Sequence, residues 1–325
     1  MTSQRDVFIS TLFERAKKDK DIILISVDMG APSLDQWRSE LPNQFFAAGI
    51  SEQNAINFAA GLSSTGKKVY VYFMACWVAR CFEQIRYSCA MAENPITILG
   101  NGVALGYAPA GPAHSPNEDI AYMRSLCGIE IYSPSNNSMV KSLVDLTCEE
   151  PKLRYIRLER KQAAEMDGVY ESWDWLNQWD IVKAGMSIVK AQSSTKSFSN
   201  KPKVCILSSG YMLGRVYKVW EKLAADGYEI SILDLWRIKP INKSIFSTII
   251  QEYDILITVE EQTLSGGFGS AVLEALSDLG LKKDVARIGL PERYIFENGD
   301  RDYHIDNNGL SVNDLYKKAI EFIEG

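Results

Sequence analysis

The chain has 325 residues, 46% hydrophobic and 23% charged, the composition of a soluble globular protein with room for two α/β domains. Its net charge of −6 and pI near 5.2 give no basic field to favour nucleic acid or an acidic membrane surface. The start, Met1 to Asp6, lacks the apolar core of a signal peptide, and no apolar run spans a bilayer, so a cytoplasmic location is expected. Six cysteines without a C-x-x-C pair, most of them in apolar-rich stretches, predict mostly buried free thiols, and only two histidines argue against a zinc site.

In chain order, strands are expected at Asp21–Val27, Lys68–Phe73, Pro95–Leu99, Ile129–Tyr132 and Leu153–Ile156. Helix-length segments lie between them at Glu52–Ser63, Trp77–Ala92, Glu118–Cys127 and Ser138–Cys148. This alternation predicts a parallel sheet covered by helices on both faces. From about Lys161 to Lys203 the rhythm fails; Trp173, Trp175 and Trp179 read as packing of a linker, and Gln192–Pro202 as an exposed loop. A second series follows, with strands at Val204–Leu207, Glu229–Leu233, Ile255–Val259 and Ala286–Gly289. Its helices are expected at Leu213–Ala225, Lys243–Glu252, Gly267–Leu279 and Val312–Ile323. The predicted fold class is α/β, as two open sheet domains with helices on both faces: residues 1–160, a linker at 161–202, and residues 203–325.

Three segments of the first domain carry candidate chemistry. Gly49-Ile50-Ser51-Glu52-Gln53 leads from a strand end into an Ala-rich helix; an acid in a first turn also complements the helix dipole. Trp77 and Arg80 stand three positions apart on one helix face, which equally suits core packing beside a solvated charge. Gly100 to Gly106 is a small-residue loop that runs on to Gly111-Pro112-Ala113-His114, beyond a strand's carboxyl end, where open α/β sheets bind ligands.

These motifs, in this order, resemble the pyrimidine-binding domain of transketolases and of 1-deoxyxylulose-5-phosphate synthase. Val259 to Gly269 and Glu292-Arg293-Tyr294-Ile295 are similar to the transketolase C-terminal domain. The resemblance implies thiamine diphosphate as cofactor, with Glu52 hydrogen-bonding N1′ of its aminopyrimidine, Trp77 beside that ring and Arg80 nearby. It implies a cofactor that carries a two-carbon ketol unit from a ketose, expected to be phosphorylated, to an aldose. His114 matches a catalytic histidine that meets the donor's hydroxyls, Arg157 an arginine on the sugar phosphate, and Ser33 a second phosphate contact. Alone, Arg157 reads equally as an ion pair with Glu159.

The chain also departs from the pattern. Ala110 stands where the family has an acid, Asn54 where it often has histidine, and no histidine lies near Gly102. No Gly-Asp-Gly occurs to hold the diphosphate through Mg²⁺; Gly299-Asp300-Arg301 is the nearest approach. The metal is therefore expected to be bound mainly by an N-terminal transketolase subunit carrying that motif, in a two-plus-two heterotetramer. The chain itself is expected to hold no metal. A 2-oxo-acid dehydrogenase β subunit, synthase-like acyl transfer, and a non-catalytic regulatory or assembly subunit remain as alternatives.

Overall fold

A computed structural model describes residues 3–28, 30–160, 183–191 and 201–325. The three linker tryptophans and the Ser-rich loop up to residue 200 fall outside the described residues.

The first sheet contains β1 (Ile22–Ser26), β2 (Phe45–Ala47), β3 (Lys68–Met74), β4 (Ile96–Asn101), β5 (Glu130–Tyr132) and β6 (Arg154–Leu158), all parallel. The second contains β7 (Ser187–Ala191), β8 (Val204–Ser208), β9 (Ile230–Asp234), β11 (Ile255–Thr263) and β12 (Asp284–Leu290). A short strand from the second half, β10 (Arg237–Lys239), joins the first sheet antiparallel to β5, giving the order β10-β5-β6-β4-β3-β1-β2. The second sheet runs β12-β11-β8-β9-β7, with β7 antiparallel on its edge. Strands β2, β7 and β10 are additions to the expected pattern, and β7 lies inside the stretch read as linker.

Continuous apolar strands suit sheets buried on both faces. In β1, Ile23 and Ile25 pack into one core while Ile22 and Leu24 pack into the other, as the two-residue repeat requires. Val69, Val71 and Phe73 of β3 separate from Tyr70 and Tyr72 in the same way. The first of these cores also contains Cys205, Leu207, Leu233 and Phe268 of the second domain. The domains therefore share packing as well as strand β10.

Helices cover both sheets. Asn136 Oδ1 caps the helix Asn137–Glu149 by accepting from Met139 N–H at 2.8 Å. The N-terminal helix Gln4–Ala16, not among the expected elements, buries Phe8, Ile9, Leu12, Phe13 and Ala16.

The Gly266-Gly267-Phe268-Gly269 motif is explained by a buried carboxylate. Glu260 accepts from the N–H groups of Phe268 (2.6 Å) and Gly269 (2.8 Å), closing the start of the helix Phe268–Asp278. A Cβ on Gly267 would collide with Glu260 Oε2, and one on Gly269 would stand 2.9 Å from Oε1. Burial, opposed by those two N–H donors, pushes the Glu260 carboxyl up to about 7. The folded protein then binds a proton that the unfolded chain releases near pH 4.5, so stability falls as pH rises between these values. Denaturant titrations should show a decline on the order of 3 kcal/mol across that window, absent from Glu260→Gln.

Candidate active site

The carboxyl ends of β2, β3 and β4 bring three of the expected motifs together. The turn after β2 delivers Glu52 as the first residue of the helix Glu52–Ser63, and its side chain is 4% exposed. Arg80 Nη1 donates to Glu52 Oε2 at 3.0 Å. Among the described residues no other side chain bonds this carboxylate, so Oε1 is available to a ligand.

Trp77 and Arg80 follow β3, but the expected helix Trp77–Ala92 is irregular. It is a 3₁₀ segment at Ala75–Cys81, one α turn at Phe82–Gln84 and a π-helical stretch at Ile85–Met91. Three residues per turn eclipse positions i and i+3. That places the Arg80 guanidinium over the Trp77 ring, 4.7 Å from its centroid. The arginine is thereby held between ring and carboxylate.

His114 reaches the same place from the loop after β4. Its ring meets Trp77 edge-on, with centroids 5.5 Å apart. The imidazole Nδ1 is buried and has no hydrogen-bond partner among the described residues. A buried polar nitrogen without a partner calls for a ligand or a water. Cys76, beside these groups, is no rival nucleophile, because burial pushes its thiol up to about 11.

Two other expected site residues are engaged elsewhere. Arg157 is buried: Nε donates to Asp119 Oδ2 at 2.8 Å and Nη1 to Ser133 Oγ at 3.1 Å. Asp119 also accepts from the Tyr155 hydroxyl at 2.7 Å. The ion pair is thus with Asp119, not Glu159, and the guanidinium is buried. Ser33 Oγ donates to Asp6 Oδ1 at 2.9 Å, and Asp6 is paired with Arg5.

Glu159 belongs instead to a buried network centred on Arg301. The Arg301 guanidinium bonds Glu159 of the first domain and Glu261 of the second, where Nη2 meets Oε2 at 2.6 Å. Its flat face lies 3.7 Å from the Tyr211 ring centroid. Glu261 Oε1 also accepts from Leu105 N–H at 3.2 Å, which ties the network to the loop leading to His114. Burial raises the Glu261 carboxyl, against the opposing pull of Arg301. Asp119 and Arg301 have no visible role in the sequence, since their partners lie far along the chain.

Comparisons with known proteins match both halves of the chain to one family. Residues 2–165 match the transketolase pyrimidine-binding domain family, and residues 195–314 match the transketolase C-terminal domain family. A subunit of the apulose-4-phosphate transketolase of Phocaeicola vulgatus is 31% identical, over 100% of this chain and 98% of its own length. The 1-deoxy-D-xylulose-5-phosphate synthase of Aquifex aeolicus is 26% identical over 98% of this chain, which spans only 48% of that synthase. Among solved structures, a split-gene transketolase described as an inactive β4 tetramer superposes with a TM-score of 0.84 at 24% identity, covering 100% of this chain and 99% of that one. The chain belongs to the transketolase family, whose pyrimidine-binding and C-terminal domains it carries.

Proposed function

We propose that the chain is one subunit of a split thiamine-diphosphate-dependent transketolase, active only with a partner that supplies the diphosphate and Mg²⁺ site. The observation that carries this reading is the buried Glu52 carboxylate, pinned by Arg80 beside Trp77 and the unpartnered His114 nitrogen. These residues fit an aminopyrimidine: a carboxyl for a ring nitrogen, an aromatic wall, and a second polar group for substrate. When bound, the cofactor supplies the carbon nucleophile and electron sink for moving a two-carbon ketol unit. In this chain Glu52 shares a proton with the ring nitrogen, and Arg80 and Trp77 hold that carboxyl in place. His114 is assigned to the donor's hydroxyls.

The other half of the cofactor is assigned to the partner. The sequence contains no Gly-Asp-Gly, and among the described residues no group of three or more His, Cys, Asp or Glu could hold a metal ion. The Phocaeicola relative, itself one subunit of a transketolase, supports a two-chain enzyme and a phosphorylated ketose donor. The inactivity stated for the β4 tetramer accords with a need for a second kind of chain, in a two-plus-two assembly.

Calorimetry of thiamine diphosphate with Mg²⁺ tests this reading, on the chain alone and then with a partner carrying Gly-Asp-Gly. Binding is expected only to the pair. Tight binding to the lone chain would overturn the split arrangement, and no binding to either would leave a non-catalytic subunit.

A further inference from the structure

The loop between Asn101 and His114 carries an aromatic side chain to which the proposed function gives no task. Gly102 follows β4 directly, with φ of +72°, and a Cβ there would collide with Cε2 and Cδ2 of Tyr107. The Tyr107 ring thus fills the space into which any side chain at position 102 would project, at the strand end. It is held from three directions. Asn101 Nδ2 donates to the phenol oxygen at 2.8 Å, Arg160 lies 4.5 Å from the ring centroid, and the ring's edge rests on Gly102. Because the phenol oxygen accepts from Asn101, its own O–H is left to donate.

Tyr107 also stands at the strand ends that carry the Glu52 group's neighbours: Asn101, which bonds its phenol, pairs with Met74 of β3, directly before the segment bearing Trp77 and Arg80. The positions that would otherwise project polar groups here, 102 and 110, are glycine and alanine. The half-buried phenol, fixed by a buried amide and an arginine, is the rigid feature at this end of the loop. A wall held in this way discriminates by shape, because it cannot yield to a longer ligand.

We propose that Tyr107 is a specificity-determining residue that sets the length of the aldose phosphate the site accepts, its ring as the end wall and its hydroxyl as a donor to the sugar. This rests on the transketolase reading. Carbon chains that reach the ring are accepted, and those one or two carbons longer meet it.

The test is direct binding, on the complex of this chain with its partner, of reduced aldose phosphates from tetritol to heptitol, which cannot react. Calorimetry on the unaltered complex should show a preference for the shorter members. Tyr107→Ala should shift relative affinity toward the longer ones by about tenfold per step, the range for one carbon's worth of pocket. Tyr107→Phe keeps the ring, so it should keep the length preference and weaken every member by about three- to tenfold through the lost hydrogen bond. An unchanged preference in Tyr107→Ala, or the same shift in Tyr107→Phe as in Tyr107→Ala, would overturn the proposal alone. An unaltered complex that binds thiamine diphosphate but no member of the series would overturn the sugar-phosphate reading, and the proposal with it.

Discussion

Glu52→Gln lowers two-carbon transfer by the assembled complex by about 10²- to 10⁴-fold, the range for loss of a positioned general acid or base. The substitution keeps size and shape at the start of the helix Glu52–Ser63, and the amide oxygen can still accept from Arg80. What it removes is the capacity to exchange a proton with a bound ring nitrogen. Partner association and the unfolding midpoint should therefore stay near their original values, measured by sedimentation and by denaturant titration. The kinetic loss should appear in kcat with a phosphorylated ketose donor. A variant retaining more than about a tenth of the activity would remove Glu52 from the proton chemistry.

Arg301→Met acts on stability. It leaves Glu159 and Glu261 facing each other in the domain boundary, at 3% and 6% exposure, without their cation. Removing one partner of a buried charged group costs about 3–5 kcal/mol, and urea unfolding should report a loss of that size at pH 8. The deficit should shrink as pH falls. With the cation gone, nothing opposes the burial that raises the Glu261 carboxyl above its value in the unfolded chain, so the penalty is complete above its folded pKa. It fades as pH drops toward the ordinary carboxylate range. A deficit of equal size at pH 5 and pH 8 would mean that lost packing on Tyr211, and not stranded charge, is responsible. Replacing both glutamates by glutamine in the same variant should recover much of the loss, since a matched neutral set leaves no buried charge.

Most of the fold can be read from periodicity. The helix Glu52–Ser63 has the expected bounds, and each expected strand is present with ends moved by a residue or two, except that β11 runs on to Thr263. Elements outside the expected pattern are short or weakly patterned: β2 and β10 span only three residues each, too few to display alternation. The helix Gln4–Ala16 does carry a signal, with Ser3 as its cap and apolar residues at 8, 9, 12, 13 and 16.

The candidate site divides along the same line. Glu52, Trp77 and Arg80 are legible because their relation is local or fixed by motif order, although sequence spacing does not tell 3₁₀ from α winding. Arg157 shows the limit. Glu159 is the nearby acid in the chain, yet the partner is Asp119, 38 residues earlier. Arg301 resembles a fragment of a metal motif, while its partners stand 40 and 142 residues away. Long-range ion pairs leave no periodic trace.

Strand β10 has a further consequence. It brings Trp236 from the second half of the chain into a core with Tyr132, Met139 and Leu143, and Ser133 N–H donates to the Trp236 carbonyl at 2.7 Å. A polypeptide ending near residue 160 would keep β5 but lose its cover. It would expose a raw edge whose free backbone groups invite pairing with any passing strand, above a hole where an indole had been. The two halves are thus sewn into one heritable unit, which no gene fission can cut between its domains without leaving that edge and that hole.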